Sequence, residues 1–471
     1  MAQVDERLID EIIISALNGN ALAGVAAGIV SDGELVYAKG FGIADAARAA
    51  PVTPNTSFRI GSISKTLTAV GLMQLWEEGR FKLDDPVRQY LKAYRLNERA
   101  GAPPVTFRHL LTHTGGIGEL RGITDLVRPV IGLGAKPGQL PKLSEYYRGG
   151  LRVEVAPGAK WAYANHGFAT LGQLIEDISG RPFNEYMTER VFAPLGMNRS
   201  DYLLSDRIRG SLAQGYQLKR GMLKPLPYLE IAVGPAGSVF SSVSEMAKYV
   251  IAIIGGGAND HGRVLKPETL ATMTSPHYQV DARLPAMGLA FMIGSEDGNK
   301  VIGHNGGWPG FLSSMWIAPE RGLGVIAFIN TTRRMAATSP LGAALMRAAL
   351  GLPGKPATAG VPILEHPFLW PELCGKYRPS RGLNTNARGW MFFGGQVKVG
   401  VRQDHLTLFG RLGPLRKGTR LVPADANDPM LFRASLLGMD VDVLFKRNAV
   451  GRVESVNIVT REGAFFTLYK R

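Results

Sequence analysis

The sequence predicts a mixed α/β (α+β) fold followed by a small all-β region, and three observations carry this prediction. Residues 25–30 and 35–41 are β-like apolar runs joined by Asp32-Gly33, a strong hairpin signal. Helical periodicity recurs between Ser62 and residue 350. Beyond residue 362 the texture becomes period-two, with glycine-containing turns.

The elements follow in order. Leu8/Ile9, Ile12/Ile13 and Ala16/Leu17 have helical spacing. A helix begins near Ser62, with Leu67, Val70, Leu72/Met73 and Leu75/Trp76 as its apolar face and Gly79 as its stop. Residues 169–178 form another helix, with Leu171, Leu174, Ile175 and Ile178 on one side. Ser242-Val243-Ser244-Glu245 reads as a capping box opening a third. Residues 325–329 are a buried strand, and Ser339-Pro340 starts a further helix, with proline at its first position. Residues 351–362 are rich in Gly, Pro and Ala and read as a linker. Val397, Val399 and Val401 then alternate with other residues, as do Leu406 and Leu408, and Val441, Val443 and Phe445. The expected organisation is residues 1–350 as one domain, 351–366 as linker and 367–471 as a C-terminal β domain.

Composition narrows the function classes. Hydrophobic residues make up 45% and charged residues 20%, ordinary values for a globular chain with a sizeable core. No run approaches the roughly 18 apolar residues of a membrane span. The start Met1-Ala2-Gln3-Val4-Asp5-Glu6 is acidic where a secretory signal is basic. A removed leader leaves the same text, so cytoplasmic and periplasmic or secreted locations both stay open. Cys374, the one cysteine, excludes an internal disulfide framework and a Cys-based zinc site, and reads as a semi-buried residue. Net charge is +15, and from Pro367 onward there are 17 Lys and Arg against 8 Asp and Glu. The charges are scattered and no nucleic-acid motif accompanies them, so no nucleic-acid partner is expected. No spacing of His, Asp and Glu suggests a metal centre. No cofactor is expected.

The sharpest local feature is Phe58-Arg59-Ile60-Gly61-Ser62-Ile63-Ser64-Lys65-Thr66. At the start of a helix, Ser62 and Lys65 share one face, one turn apart. An amine then lies within reach of a hydroxyl, which is a poor nucleophile until a base takes its proton. The helix N-terminus also favours negative charge developing nearby. Alone, Ser-x-x-Lys usually marks only a helix start with a solvated lysine. Two later motifs change that reading: Tyr163-Ala164-Asn165, and Gly303-His304-Asn305-Gly306-Gly307-Trp308-Pro309-Gly310-Phe311.

The order and long spacing of these three motifs resemble the serine β-lactamase and penicillin-binding-protein superfamily. Three further segments carry the resemblance. They are residues 107–117 (Phe-Arg-His-Leu-Leu-Thr-His-Thr-Gly-Gly-Ile), residues 192–197 (Phe-Ala-Pro-Leu-Gly-Met) and Pro235-Ala236-Gly237-Ser238-Val239. It covers about residues 8–350 and points to the class C-like branch, peptidase family S12, with its carboxylesterases, D-aminopeptidases and D-amino acid amidases. The fold it implies is an antiparallel sheet flanked by helices, with an all-helical subdomain. Leu373-Cys374-Gly375-Lys376-Tyr377 is similar to the start of the lipocalin-like barrels appended to some relatives. A stabilising role and a pocket-gating role for that barrel both stay open.

The resemblance assigns Ser62 as the nucleophile that becomes acylated, with Lys65 or Tyr163 accepting its proton. Tyr163 protonates the leaving group and activates water. The backbone N–H groups of Ser62 and Gly307 form the oxyanion hole. Asn165, His304, Asn305, Gly306 and Trp308 belong to substrate binding. His304 stands where many β-lactamases carry the lysine of Lys-Thr-Gly, so it supplies less positive charge for a β-lactam carboxylate. An ester, amide or peptide substrate is therefore expected, with β-lactam hydrolysis weak or absent. Acyl transfer, or a penicillin-binding sensor with little turnover, are the alternatives. His113 reads as a turn histidine, and His166 as either a pocket or a packing residue. Arg121 and Arg128, in the loop 118–150 expected over the pocket, read as solvated. Oligomeric state is not legible.

Overall fold

A computed structural model describes residues 4–121, 133–135, 140–332, 340–354, 365–412, 414–436, 439–460 and 464–471. Most of the expected linker lies outside the described residues, as do Arg128 and Ser339.

An eight-stranded antiparallel sheet organises the first part of the chain. The Asp32-Gly33 hairpin forms as expected, between Gly24–Ser31 and Glu34–Asp45. Both turn residues have positive φ, 49° and 86°, which the primed two-residue turn requires. The first hairpin strand pairs with Leu323–Ile329, Ala27 opposite Ala327, so distant parts of the chain close the sheet. Leu323–Ile329 then pairs with Phe311–Ala318, which pairs with Asn299–Trp308.

The central strands Gly24–Ser31, Phe311–Ala318 and Leu323–Ile329 are buried at every position. Both sheet faces are therefore covered, and the pleat sends alternate side chains into two cores. Ala26 and Val30 join a core with Leu67, Val70, Leu171 and Met246. Val25, Ala27 and Ile29 join another with Ile9, Ile13 and Leu345. The helices Glu6–Gly19 and Leu341–Ala349 cover this second face.

Four expectations need adjustment. The helix starting near Ser62 is a single turn, Gly61–Ile63, followed by Ser64–Glu77. It has no one apolar face, because residues 64–75 are all buried at the centre of the helical subdomain. The helix expected at 169–178 is Asn165–Ser179, so it begins at the third residue of the Tyr163 motif. The Ser242 cap is half a box: its hydroxyl accepts the Glu245 N–H at 3.3 Å, but the Glu245 carboxylate goes to the Arg199 N–H and to Lys248. Pro340 caps the helix Leu341–Ala349 rather than opening it.

The C-terminal part is a nine-stranded antiparallel sheet curled into a nearly closed barrel. Its first and last strands in the order, Thr419–Arg420 and Val422–Pro423, flank the seam, where the Thr419 hydroxyl donates to the Ser435 carbonyl at 3.0 Å. Tyr377, from the Gly-x-Tyr segment, is fully buried inside with its hydroxyl on the Leu373 carbonyl at 2.7 Å. The barrel sits against the larger part. Phe465 packs on Trp161 with ring centres 5.2 Å apart, and Leu444 and Val459 join the second core. Arg283 pairs with Asp428 at 2.8 Å. Among the described residues, no helix is long and apolar enough to cross a membrane.

Candidate active site

Gly61, Ser62 and Ile63 form a tight turn wedged between the strand Asn299–Trp308 and the helix Ser64–Glu77. Gly61 has φ +51°, and a Cβ there would lie 2.7 Å from the Gly307 nitrogen. The turn is equally tight at Gly306, where a Cβ would lie 2.0 Å from the Ile60 carbonyl oxygen. Glycine at both positions lets the Gly61–Ile63 turn stand directly against the strand.

Ser62 is half-buried and has two close partners. Lys65 Nζ lies 3.0 Å from Ser62 Oγ, and the Tyr163 hydroxyl lies 2.7 Å from the same oxygen. Lys65 is completely buried. Its nitrogen also meets Asn165 Oδ1 at 2.8 Å and the Ala236 carbonyl at 2.6 Å. Burial, and then the nearby Arg388 charge, pull the Lys65 pKa well below its ordinary value. Burial pushes the Tyr163 pKa up to about 12 despite the Arg388 charge, which acts in the opposite direction. At neutral pH this environment favours a neutral phenol, and it weakens the hold of the Lys65 amine on its extra proton.

The position of Gly307 follows from the hairpin. Pro309-Gly310 is a two-residue turn, so the flanking Trp308–Phe311 pair is hydrogen-bonded. The next pair, Gly307–Leu312, is then a non-hydrogen-bonded one, and the Gly307 N–H points away from the neighbouring strand. Gly307 is also exposed, while the residues on both sides of it are buried. The Ser62 N–H lies in the first turn of a helical segment and has no partner within it. A Cβ on Gly61, the residue before Ser62, would lie 2.7 Å from the Gly307 nitrogen, so the two backbone segments are in contact.

The other sequence-predicted residues occupy different positions. His304 is 1% exposed, and its Nδ1 lies 2.5 Å from the Asn305 carbonyl. Burial and the Lys65 charge lower its pKa to about 3, so its imidazole is neutral where it stands near Tyr163. Asn305 is buried beside it. Gly306 is closed off by Ile60 and Ser313, so its place is one of close packing. Trp308 stacks on the Arg59 guanidinium at 4.0 Å. His113 has the expected turn conformation, φ 59°, and its ring packs on Tyr163 at 4.3 Å while Nδ1 accepts the Ala164 N–H. His166 is fully buried and pairs with the Tyr147 hydroxyl at 2.7 Å, which places it in the subdomain core. Arg121 lies over the Tyr146 ring.

Three contributors have no signature in the motifs. The Ala236 carbonyl is a backbone acceptor, and the turn Pro235-Ala236-Gly237 is its only hint. Glu119 lies close after the Thr-His-Thr-Gly-Gly segment. Arg388, from the C-terminal helix Ala387–Phe393, lies with Cζ 3.7 Å from the Tyr163 ring centre and pairs with Glu119 at 3.0 and 3.2 Å. A cavity of about 740 Å³ lies on the other side of the 234–238 turn, lined by Arg59, Tyr202, Tyr228 and Pro235 among others. Ser62, Lys65 and Tyr163 are not among its described lining, so the reactive cluster and this cavity are separate places. Among the described residues no three His, Cys, Asp or Glu side chains converge as a metal site.

Known proteins resemble this chain in sequence and in fold. The chain is 26% identical over 358 residues to esterase EstB of Burkholderia gladioli, covering 69% of this chain and 90% of that protein. It is 28% identical over 332 residues to penicillin-binding protein 4 of Amycolatopsis lactamdurans, covering 65% and 80%. It spans only 64% and 54% of the lengths of two other relatives, from Homo sapiens and Bacillus subtilis. The octameric penicillin-binding protein homologue from Pyrococcus abyssi superposes with a TM-score of 0.64 at 26% identity, over 98% of this chain and all of that one. The Beta-lactamase family model matches residues 9–349, well over half of the sequence, and the chain belongs to that family.

Proposed function

We propose that this protein is a serine hydrolase that forms an acyl-enzyme at Ser62 and hydrolyses an ester or amide, as carboxylesterases and D-amino-acid peptidases or amidases do. The observation that carries the reading is Ser62 Oγ held between Lys65 Nζ at 3.0 Å and the Tyr163 hydroxyl at 2.7 Å. An esterase and penicillin-binding proteins among the relatives support the same class.

Counting protons assigns the roles. A neutral amine has two N–H donors and one lone pair. Asn165 Oδ1 and the Ala236 carbonyl are acceptors and take both donors. The lone pair then faces Ser62, whose O–H it can accept. Lys65 is the base for acylation: it takes the Ser62 proton as Oγ attacks the substrate carbonyl. The oxyanion is met by the N–H groups of Ser62 and Gly307, an arrangement in which one donor is worth about 10²–10³ in turnover. Tyr163 gives its proton to the leaving alcohol or amine. The resulting phenolate takes a proton from water, whose hydroxide attacks the acyl group. Ser62 leaves and recovers its proton from Lys65. Every group then returns to its starting state.

The buried, neutral His304 offers no charge to a β-lactam carboxylate. Short-chain p-nitrophenyl esters, D-aminoacyl amides, D-peptides and nitrocefin, assayed beside Ser62→Ala, test the reading. Turnover of an ester or amide, abolished in Ser62→Ala, with little nitrocefin hydrolysis is the expected pattern. Full turnover in Ser62→Ala contradicts it.

A further inference from the structure

The barrel reaches the reactive cluster. Its segment 381–388 is pinned to the larger part by several contacts. The Glu154 carboxylate accepts the backbone N–H groups of Leu383, Asn384 and Thr385 and the Thr385 hydroxyl, at 2.8–3.1 Å. Lys160 donates to the Arg381 carbonyl at 3.2 Å and to Asn386 Oδ1 at 2.9 Å. Gly118 lets the segment approach, since a Cβ there would lie 2.5 Å from the Asn384 carbonyl carbon. The side chain delivered by this clasp is Arg388, with Cζ 3.7 Å from the Tyr163 ring centre.

We infer that Arg388, supplied by the C-terminal barrel, is a positioning residue that provides the standing positive charge against which Lys65 and Tyr163 exchange protons, with Glu119 setting how much of that charge they feel. The inference rests on the acyl-enzyme reading above.

Among the described residues, the charged and titratable groups facing the pair are few. Lys65 and Tyr163 face each other, with Nζ 4.8 Å from the ring centre. His113 and His304 pack on Tyr163, and burial keeps both neutral. Glu119 and Arg388 complete the set. Burial opposes the Arg388 charge, but Glu119 and Tyr163 sustain it, and a guanidinium stays protonated at any working pH. Arg388 is therefore the permanent cation of this set. A cation there disfavours protonation of Lys65 and favours the phenolate form of Tyr163. Both effects help the cycle: the amine stays a base, and the phenol releases its proton more easily. Glu119 opposes both.

This role makes a signed prediction that a purely structural contact does not. In full-length protein, kcat/KM for p-nitrophenyl acetate is measured from pH 5 to 11 for wild type, Arg388→Gln, Arg388→Lys and Glu119→Gln, with thermal unfolding of each. Arg388→Gln should move the acid limb of the profile to higher pH by about one unit, the low end of what a nearby charge does. Activity on that limb then falls about tenfold. Glu119→Gln should move the acid limb to lower pH, and Arg388→Lys should leave it near wild type. Should Arg388→Gln fail to fold, the downward shift in Glu119→Gln carries the test. An unmoved acid limb, or shifts of the same sign in both variants, overturn the inference. An unmoved acid limb together with loss of turnover in Ser62→Ala rejects the role of Arg388 and leaves the nucleophile standing. Turnover surviving in Ser62→Ala rejects the reading beneath both.

Discussion

Gly306→Ala adds one methyl group at the tightest approach in the site. Its Cβ would lie 2.0 Å from the Ile60 carbonyl oxygen and 2.2 Å from Ser313 Oγ. To reach even 3.0 Å, Ile60 or the strand must move by about 1 Å. The Ser313 hydroxyl cannot simply rotate aside at no cost, because it donates to that same carbonyl at 2.7 Å. Ile60 is two residues before Ser62, and Gly306 is one before Gly307, so the movement separates nucleophile and oxyanion donor. Overpacking of this kind costs about 1–3 kcal/mol of stability. A misplacement of about 1 Å costs about 10² in rate. The expected result is kcat/KM on a p-nitrophenyl ester reduced about a hundredfold, with a urea midpoint lowered to match about 1–3 kcal/mol. Gly294→Ala is the control, since its Cβ would meet only Val301 Cγ2 at 3.7 Å. It should keep wild-type turnover. A Gly306→Ala enzyme with turnover like that of Gly294→Ala refutes the close-approach argument.

Two further predictions follow. Glu154→Ala removes the acceptor of three backbone N–H groups and one hydroxyl, so amide hydrogen exchange at residues 383–388 should accelerate while the central strands keep their protection. His304 is neutral in the folded state down to about pH 3 but titrates near its ordinary 6.5 when unfolded. The unfolded chain thus binds more protons between these values, and stability falls as pH drops through that window, by roughly 3–5 kcal/mol in all. His304→Gln should lose less stability between pH 7 and pH 4 in urea titrations. An unchanged loss contradicts a buried neutral imidazole.

Much of the fold was legible because local chemistry dictates it. Asp32-Gly33 specifies a hairpin through its tolerance of positive φ, and the short β-branched apolar run around Val325 has the texture of a buried strand. The helix Ser64–Glu77 was placed correctly but misjudged in surroundings, since it is buried on all sides and an amphipathic pattern does not describe it. The pairing of Gly24–Ser31 with Leu323–Ile329 depends on tertiary packing, and no neighbouring residue announces it. The site divides in the same way. Ser62 and Lys65 are one helical turn apart, and Asn165 opens the helix that follows Tyr163, so spacing and order revealed them. The third partner of Lys65 is the backbone oxygen of Ala236, which any residue could supply. Arg388 acts across 225 residues through the face of a ring, where no sequence period exists to be read. The motif marks His304, but its burial and its neutral imidazole come from tertiary packing that the motif does not announce.

The most direct test is covalent labelling of the nucleophile. Full-length protein is treated with a serine-reactive fluorophosphonate, its intact mass is measured, and the modified peptide is sequenced. The account predicts one adduct per chain, on Ser62, formed more slowly in Tyr163→Phe and Lys65→Met and absent in Ser62→Ala. An adduct on another residue, or undiminished labelling of Ser62→Ala, contradicts it.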